Sequence, residues 1–308
     1  MISMRYHIVS IAAVFLALAL GIVLGATKIS SPLVVGLQGD KTSLTEERDQ
    51  LAGDNKDLSD RVASDDAFAG SVSALAVRGT LPGATVVVLS SAGATPADRD
   101  AVVDLLSKSG AKVTAQLQLT QDFTDPNRAD DLTNVAAQNL PAGAKLPTSG
   151  DTGTIAGVFL SSVLITDKAG AAPATAAEAT AALSALSSGG FVTADGAVAP
   201  GRLVVLVTGG ATDSDQASVL ADLAAALKQQ AGGVVVAGRT GSEGSEGVVG
   251  VVRADPAAGN AVSTVDDVER SSGRLATVLA LVEQNGGGVG RYGMADTAQA
   301  QVPALAVG

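Results

Sequence analysis

The stretch RLVVLVTGGATDSDQASVLADLAAALKQQAGGVVVA, residues 202–237, predicts the fold of the larger part of this chain. It contains two valine-rich runs, 202–207 and 233–237, with a helical pattern at 213–229 between them. Asp213 is a residue type that favours the N-cap of such a helix. Valine-rich strands without polar alternation are typical of a parallel sheet that helices cover on both faces. The stretch therefore predicts a strand–helix–strand unit.

The same alternation of short apolar runs and helical patterns continues on both sides of this unit. Further strands are predicted at 85–90, 112–119 and 248–252, and further helices at 96–107, 127–138, 152–166, 175–187 and 273–284. Together they predict an α/β domain over 80–293 with a mostly parallel, doubly wound sheet of the Rossmann or flavodoxin type. The alanine- and glutamine-rich residues 294–308 predict a flexible tail.

The N-terminal region contains an uncharged apolar segment, residues 8–27, between Arg5 and Lys28. At about 1.5 Å per residue it spans roughly 30 Å, the thickness of a bilayer's hydrocarbon core. A cleaved signal peptide is the alternative, but its apolar core is usually about 7–15 residues long. The length favours a retained transmembrane signal anchor after a short tail, residues 1–7. The flanking charges do not decide the orientation, and export of the large domain is the simplest topology.

A leucine heptad follows the apolar segment and predicts a coiled-coil stalk over residues 28–66. In a parallel dimer, Lys41 and Arg48 would lie beside Asp40 and Glu47 of the partner helix, so the pattern favours a homodimer or a hetero-coiled-coil with a complementary helix of another protein. A single solvated helix, or one docked on its own domain, fits the same pattern. The predicted seam consists of Val34, Leu37, Lys41, Leu44, Arg48, Leu51, Asn55, Leu58 and Val62.

The composition excludes several classes of function. The chain has a net charge of −11 and only seven aromatic residues (two Tyr, five Phe and no Trp). Nucleic-acid binding would need a basic surface and aromatic stacking platforms. A transmembrane β-barrel would need aromatic girdles at both membrane interfaces, so the chain is not expected to form a pore of its own.

Candidate chemistry is sparse, and the sequence predicts neither an enzyme nor a bound cofactor. The only histidine, His7, lies at the border of the apolar segment, which rules out a Ser-His-Asp triad in the large domain. Glycine-rich loops follow two predicted strands and an acidic pair lies further along; none matches a nucleotide-binding motif. They could line a ligand crevice at the strand ends, or be tight turns and helix caps. These residues are Gly209, Gly210, Gly238, Arg239, Gly241, Asp266 and Asp267.

Several motifs occur in an order that resembles one known family. They are MISMR at 1–5, AAVFLALA at 12–19, LTQDF at 119–123, LPAG at 140–143, GRTGS at 238–242, GVVGVVRAD at 247–255, STVDDV at 263–268, GR at 273–274 and YG at 292–293. Over essentially its full length the chain resembles the mycobacterial copper transport protein B family. The resemblance implies an actinobacterial envelope protein with a role in copper efflux or homeostasis and an outer-membrane location. Some members are also associated with cell-division machinery.

The chain contains few side chains that could bind a copper ion. Copper(I) favours thiolate, thioether and imidazole ligands, whereas the chain has no Cys, one His and three Met. Only Met1, Met4 and His7 are grouped, at spacings of three residues, and they are equally explained as the initiator and membrane-border residues. Two hypotheses follow: a copper-homeostasis component that works within a complex, and a non-enzymatic membrane-tethered scaffold that pairs with another envelope protein to regulate cell-wall or division machinery.

Overall fold

The computed structural model describes residues 4–304, with side chains described for 4–26 and 41–304. The chain forms two compact units, Met1–Ser64 and Asp65–Gly308.

Helix α1, Met4–Val77, forms the first unit and enters the second. Its segment Met4–Ala26 is the one helix among the described residues long and apolar enough to cross a membrane, which is compatible with single-pass anchoring. The predicted stalk, 28–66, is helical throughout. The predicted tail, 1–7, lies partly outside the described residues, and the backbone is helical from Met4.

The second unit is an α/β domain built on a mostly parallel sheet, as predicted. The strands of its described part are ordered β3-β2-β1-β4-β5-β6-β7, and every pair is parallel except β2 with β3. Their bounds are β1 Thr85–Ser90, β2 Lys112–Leu119, β3 Val192–Ala194, β4 Leu203–Val207, β5 Gly233–Ala237, β6 Ser263–Val265 and β7 Arg291–Tyr292.

Helices connect these strands, and most of them match the predicted positions within two residues at each end. Asp213 caps α7 as predicted, since its side chain accepts a hydrogen bond from the backbone N–H of Asp215. The helices are α2 Pro96–Lys108, α3 Gln121–Thr124, α4 Ala129–Gln138, α5 Thr152–Leu164, α6 Ala176–Ser188, α7 Ser214–Lys228, α8 Val248–Ala254, α9 Pro256–Gly259 and α10 Ser271–Asn285, with a 3-10 turn at Pro126–Arg128.

One predicted strand is wrong. Residues 248–252 form most of helix α8 instead, with Gly247 at its N-cap position. A short apolar run does not reveal by its periodicity whether it is a buried strand or a buried helix. The side chains of Val248, Val249 and Val252 are buried, which a helix with a broad apolar face achieves as well as a strand.

The core consists of two layers, one on each face of the sheet. Alternate residues of a single strand contribute to different layers: Val204 and Leu206 of β4 pack with α5 and α7, whereas Leu203 and Val205 pack with α2 and α10. Both faces are therefore covered. This double covering explains why the strands are valine-rich without polar alternation.

The strand order places a topological switch point between β1 and β4. Strand β1 pairs with β2 on one side and with β4 on the other, so the chain leaves β1 and β4 toward opposite halves of the sheet. In doubly wound folds, ligands usually bind in the crevice outside the carboxyl ends of the strands at this point.

The chain after β7 loops back and forms hydrogen bonds with that strand. The backbone N–H of Gly293 donates to the carbonyl of Ala300 at 3.1 Å, and that of Gln299 donates to Arg291 at 2.7 Å. Part of the segment for which a flexible tail is predicted is thus hydrogen-bonded to the edge of the sheet.

Candidate functional site

The parallel strand order brings the predicted crevice loops together along the carboxyl edge of the sheet. The backbone N–H of Arg239 donates to Gly209 at 3.0 Å, and that of Gly238 donates to Val265 at 2.8 Å. The N–H of Val268 donates back to Gly238 at 3.0 Å. The loops after β4, β5 and β6 therefore form one hydrogen-bonded surface, which we call the carboxyl edge.

At the switch point the crevice is nearly closed by glycine backbone. A side chain on Gly209 would place its Cβ 2.6 Å from the carbonyl oxygen of Gly93, in the loop after β1. A Cβ on Gly210 would lie 2.9 Å from the carbonyl oxygen of Thr240. Neither glycine has a positive φ, whereas Gly241 does, at 95°. Close contact with neighbouring backbone therefore explains why glycine occupies positions 209 and 210. The positive φ explains why glycine occupies position 241.

The space that remains at the switch point is a cavity of about 100 Å³, lined mostly by small and hydroxyl-bearing residues including Ser91, Thr120 and Thr208. This volume is well below the 300–1,000 Å³ of most small-molecule sites, so a dinucleotide does not fit there.

Asp98 is the centre of a charged network at the carboxyl edge. This buried carboxylate, in the first turn of α2, accepts hydrogen bonds from Thr95 Oγ1 at 2.6 Å and Arg274 Nη2 at 3.1 Å. It also forms an ion pair with Arg239 Nε at 3.5 Å. Arg274 donates further to the carbonyl of Val268. The network ties the starts of α2 and α10 to the loop after β5.

Glu269 fixes the same loop from the other side. The backbone N–H of Thr240 lies 3.2 Å from each oxygen of the Glu269 carboxylate, and the Thr240 hydroxyl donates to it as well. With Asp98 bound to Arg239, two acidic side chains hold neighbouring residues of one loop.

The two neighbouring aspartates after β6 have different environments. Asp266 forms an ion pair with Arg253 at 2.7 Å, with side chains only 2% and 4% exposed. Its other oxygen accepts hydrogen bonds from the backbone N–H groups of Met294 at 2.7 Å and Ala295 at 3.2 Å. Arg253 also donates to the carbonyl of Tyr292. Asp266 thus holds the chain that follows β7, and both of its oxygens are occupied.

Asp267 is fully buried, and its Oδ1 atom has no hydrogen-bond partner within the described structure. Its Oδ2 accepts a hydrogen bond from Ser272 Oγ at 3.3 Å. Burial, and next the charge of Asp266, raise the pKa of Asp267 to about 6. The folded domain therefore favours the protonated form of this side chain more than an unfolded chain does.

Helix α10 is capped by a residue that no sequence motif singles out. Asp66, near the end of α1, accepts hydrogen bonds from the backbone N–H of Ser271 at 2.6 Å and of Ser272 at 3.4 Å. The residue at the N-cap position, Arg270, provides no side-chain cap. The cap and the helix are 205 residues apart in sequence, so no local pattern could have identified it.

The described residues contain no group of three or more His, Cys, Asp or Glu that could hold a metal ion. Met4 and His7 are exposed on α1, and Met1 lies outside the described residues.

The predicted seam residues whose side chains are described are all exposed. Leu44, Leu51 and Leu58 are 65%, 62% and 60% exposed. The side chains of Val34 and Leu37 lie outside the described part of α1. The other seam residues, likewise exposed, are Lys41, Arg48, Asn55 and Val62.

Comparison with known proteins gives one consistent result. Residues 1–303 match the model of a family described as "Copper transport outer membrane protein, MctB". A copper transporter MctB of Mycobacterium tuberculosis is 37% identical over 302 residues, covering 95% of this chain and 96% of the relative. A copper transporter MctB of Mycobacterium leprae is 34% identical over 306 residues, covering 96% of each chain.

The chain belongs to the MctB family. The predicted resemblance is thereby confirmed over almost the whole length. Membership of the MctB family indicates a copper-transport protein, and the family description specifies an outer-membrane protein. The apolar helix Met4–Ala26 fits a membrane anchor.

Proposed function

We propose that this MctB-family chain is an envelope-anchored, non-enzymatic component of copper efflux or homeostasis that works within a complex, with its large domain outside the cytoplasm. The exposure of Leu44, Leu51 and Leu58 on α1 carries the proposal. Apolar side chains repeated every seven residues along a helix are expected to pack against another helix.

The metal-ligating side chains of the chain are too few to support direct copper binding, which favours a partner that binds the copper. With no cysteine and one histidine, the chain has few of the soft ligands that copper(I) selects. The described residues include one helix that is long and apolar enough to cross a membrane, and one such helix does not enclose a pore by itself. A partner would therefore supply the copper ligands and the path through the membrane.

The charged positions of the seam favour a specific partner. Lys41 and Arg48 lie at a positions, where charged residues reduce the stability of a coiled coil and select register and partner. Anchoring in one membrane would raise the effective concentration of two stalks and offset part of this weakness. A second copy of this chain and another envelope protein both satisfy these requirements.

The second candidate is a scaffold that regulates cell-wall or division machinery through the same stalk. The nearly closed switch point favours it, because the crevice where an α/β domain usually binds a nucleotide holds only about 100 Å³. In this candidate the α/β domain acts as a docking module, and any effect on copper is indirect.

The test is a crosslinking pull-down of the full chain from envelope membranes, with Leu51→Asp as the seam variant and Gln50→Asp as its matched control. The proposal predicts that Leu51→Asp loses the crosslinked partner and that Gln50→Asp retains it. Cells carrying only the seam variant should then accumulate copper as a deletion strain does. Partner loss without any change in cellular copper would favour the scaffold. Equal recovery with both variants would contradict both candidates.

Replacing Lys41 and Arg48 together by Leu refines the test. This variant removes the charges but keeps an apolar seam, so the stalk should still form a helix and change its partners. Unchanged partner recovery would show that these charges do not select the partner.

A further inference from the structure

A cavity of about 510 Å³ lies beside helix α6, outside the carboxyl edge and the stalk. Its lining includes Val163 and Leu164 from the end of α5, Leu183 from α6, and Val198 from the segment after β3. None of the side chains that line it is charged. The volume is five times that of the switch-point cavity and falls within the range of small-molecule sites.

Three hydroxyl side chains in the lining recur along one face of α6. Thr180, Ser184 and Ser187 are separated by four and three residues, the spacing that places side chains on one side of a helix. The Thr180 hydroxyl donates to the carbonyl of Ala176 at 2.8 Å. The exposed Ser184 and Ser187 have no side-chain hydrogen bond within the described residues, so both hydroxyls are available to a ligand.

We propose that this cavity binds a single acyl chain, with the ester or carboxyl group of the ligand at the hydroxyl row. An apolar floor with a few polar groups at one side matches an apolar chain that ends in hydrogen-bond acceptors. Because the lining is uncharged, any charged headgroup remains in solvent. The chain also has a helix that is able to cross a membrane. Anchoring by this helix would raise the effective concentration of membrane lipids around the domain.

The test is photo-crosslinking of the full chain with two probes, followed by peptide mapping. One probe is palmitic acid bearing a diazirine, added in solution. The other is a phosphatidylglycerol with a diazirine on one acyl chain, supplied in vesicles that hold the anchored protein. Labelling concentrated in residues 163–200 is expected from at least one probe, and which probe labels identifies the source of the chain.

Filling the cavity provides the specificity control. Ala179 lines the cavity and Ala181 lies exposed on the same helix, so Ala179→Trp should reduce labelling at least about tenfold while Ala181→Trp leaves it unchanged. If Ala179→Trp does not fold, Val198→Trp against Ala197→Trp makes the same comparison in the segment after β3. Labelling that is spread evenly over the domain, or equally strong in filled and control variants, would overturn the proposal. Neither result depends on the stalk or on copper.

Discussion

The stalk and the α/β domain differ in the solvent exposure of their apolar side chains. Leu51 and its heptad neighbours on α1 are more than half exposed, whereas every residue of β4 and β5 is buried. The domain completes its own core from both faces of its sheet, and the described stalk residues leave an apolar row in solvent. This difference is the basis of our proposal that the stalk pairs with another molecule.

The largest effect should come from breaking the buried ion pair of the domain. Arg253→Ala leaves Asp266 buried without its counter-charge, which should lower the free energy of unfolding by about 3–5 kcal/mol. Urea denaturation of the full chain measures this loss. The matched surface variant is Arg48→Ala, which removes the exposed ion pair with Asp49 and should change the free energy of unfolding by less than about 1 kcal/mol. Similar losses in both variants would remove the contrast between domain and stalk.

The next largest effect tests the apolar side chains directly. Leu206→Ala, in the core of β4, should lower the free energy of unfolding by about 2–5 kcal/mol, because it removes a fully buried side chain and leaves a cavity. Leu51→Ala should leave the unfolding of the isolated single chain nearly unchanged and instead weaken partner binding. A large loss of chain stability with Leu51→Ala would show that the leucine packs within its own chain.

The buried carboxyl group of Asp267, whose Oδ1 atom has no hydrogen-bond partner within the described structure, predicts a pH effect. The pKa of Asp267 is raised to about 6 in the folded state. An unfolded chain therefore loses this proton first, and the group makes the domain less stable as the pH rises from about 4 to 6. Asp267→Asn should remove this part of the pH dependence. At pH 7 the variant should have a free energy of unfolding on the order of 2 kcal/mol higher than the original chain, measured by urea denaturation. At pH 3 the two should differ by almost nothing. A gain of equal size at both values would show that the charge of Asp267 is not the cause.

The smallest effect concerns the point where α1 caps α10. Asp66→Ala removes the cap from the N-terminus of α10 and should lower the free energy of unfolding by about 0.5–2 kcal/mol. Asp66→Asn keeps an acceptor oxygen and should lose less. Hydrogen exchange of the amides of Ser271 and Ser272 gives the local measure, with faster exchange expected for the alanine variant. Unchanged exchange in the alanine variant would contradict the cap.

The sequence predicted what depends on local pattern. Strands β1, β2 and β5 have the predicted bounds, because each is a run of at least five residues between turn signals. The strands β3, β6 and β7 have two or three residues and carry no pattern of their own. The valine-rich run at 248–252 favours a strand by propensity, whereas tertiary packing selects a helix there.

The candidate site was predictable only in part. That the loops of Gly209 and Gly238 would lie at one edge follows from the parallel order of strands, and the structure places them side by side. The partners of the acidic residues were not predictable, since Asp98 meets Arg274 from 176 residues away. Ion pairs between distant elements depend on the strand order, which the sequence did not reveal.

Pairing of the stalk through its leucines is tested most directly by thiol crosslinking from single cysteines on the stalk. No other thiol in the chain reacts, because the chain has no native cysteine. Full-length Leu51→Cys and Gln50→Cys are compared in envelope membranes with a short bifunctional thiol–amine reagent. A stalk that pairs through its leucines should give one discrete crosslinked species from position 51 and little from position 50. Equal crosslinking from both positions, or none from either, would contradict a stalk that pairs through its leucines.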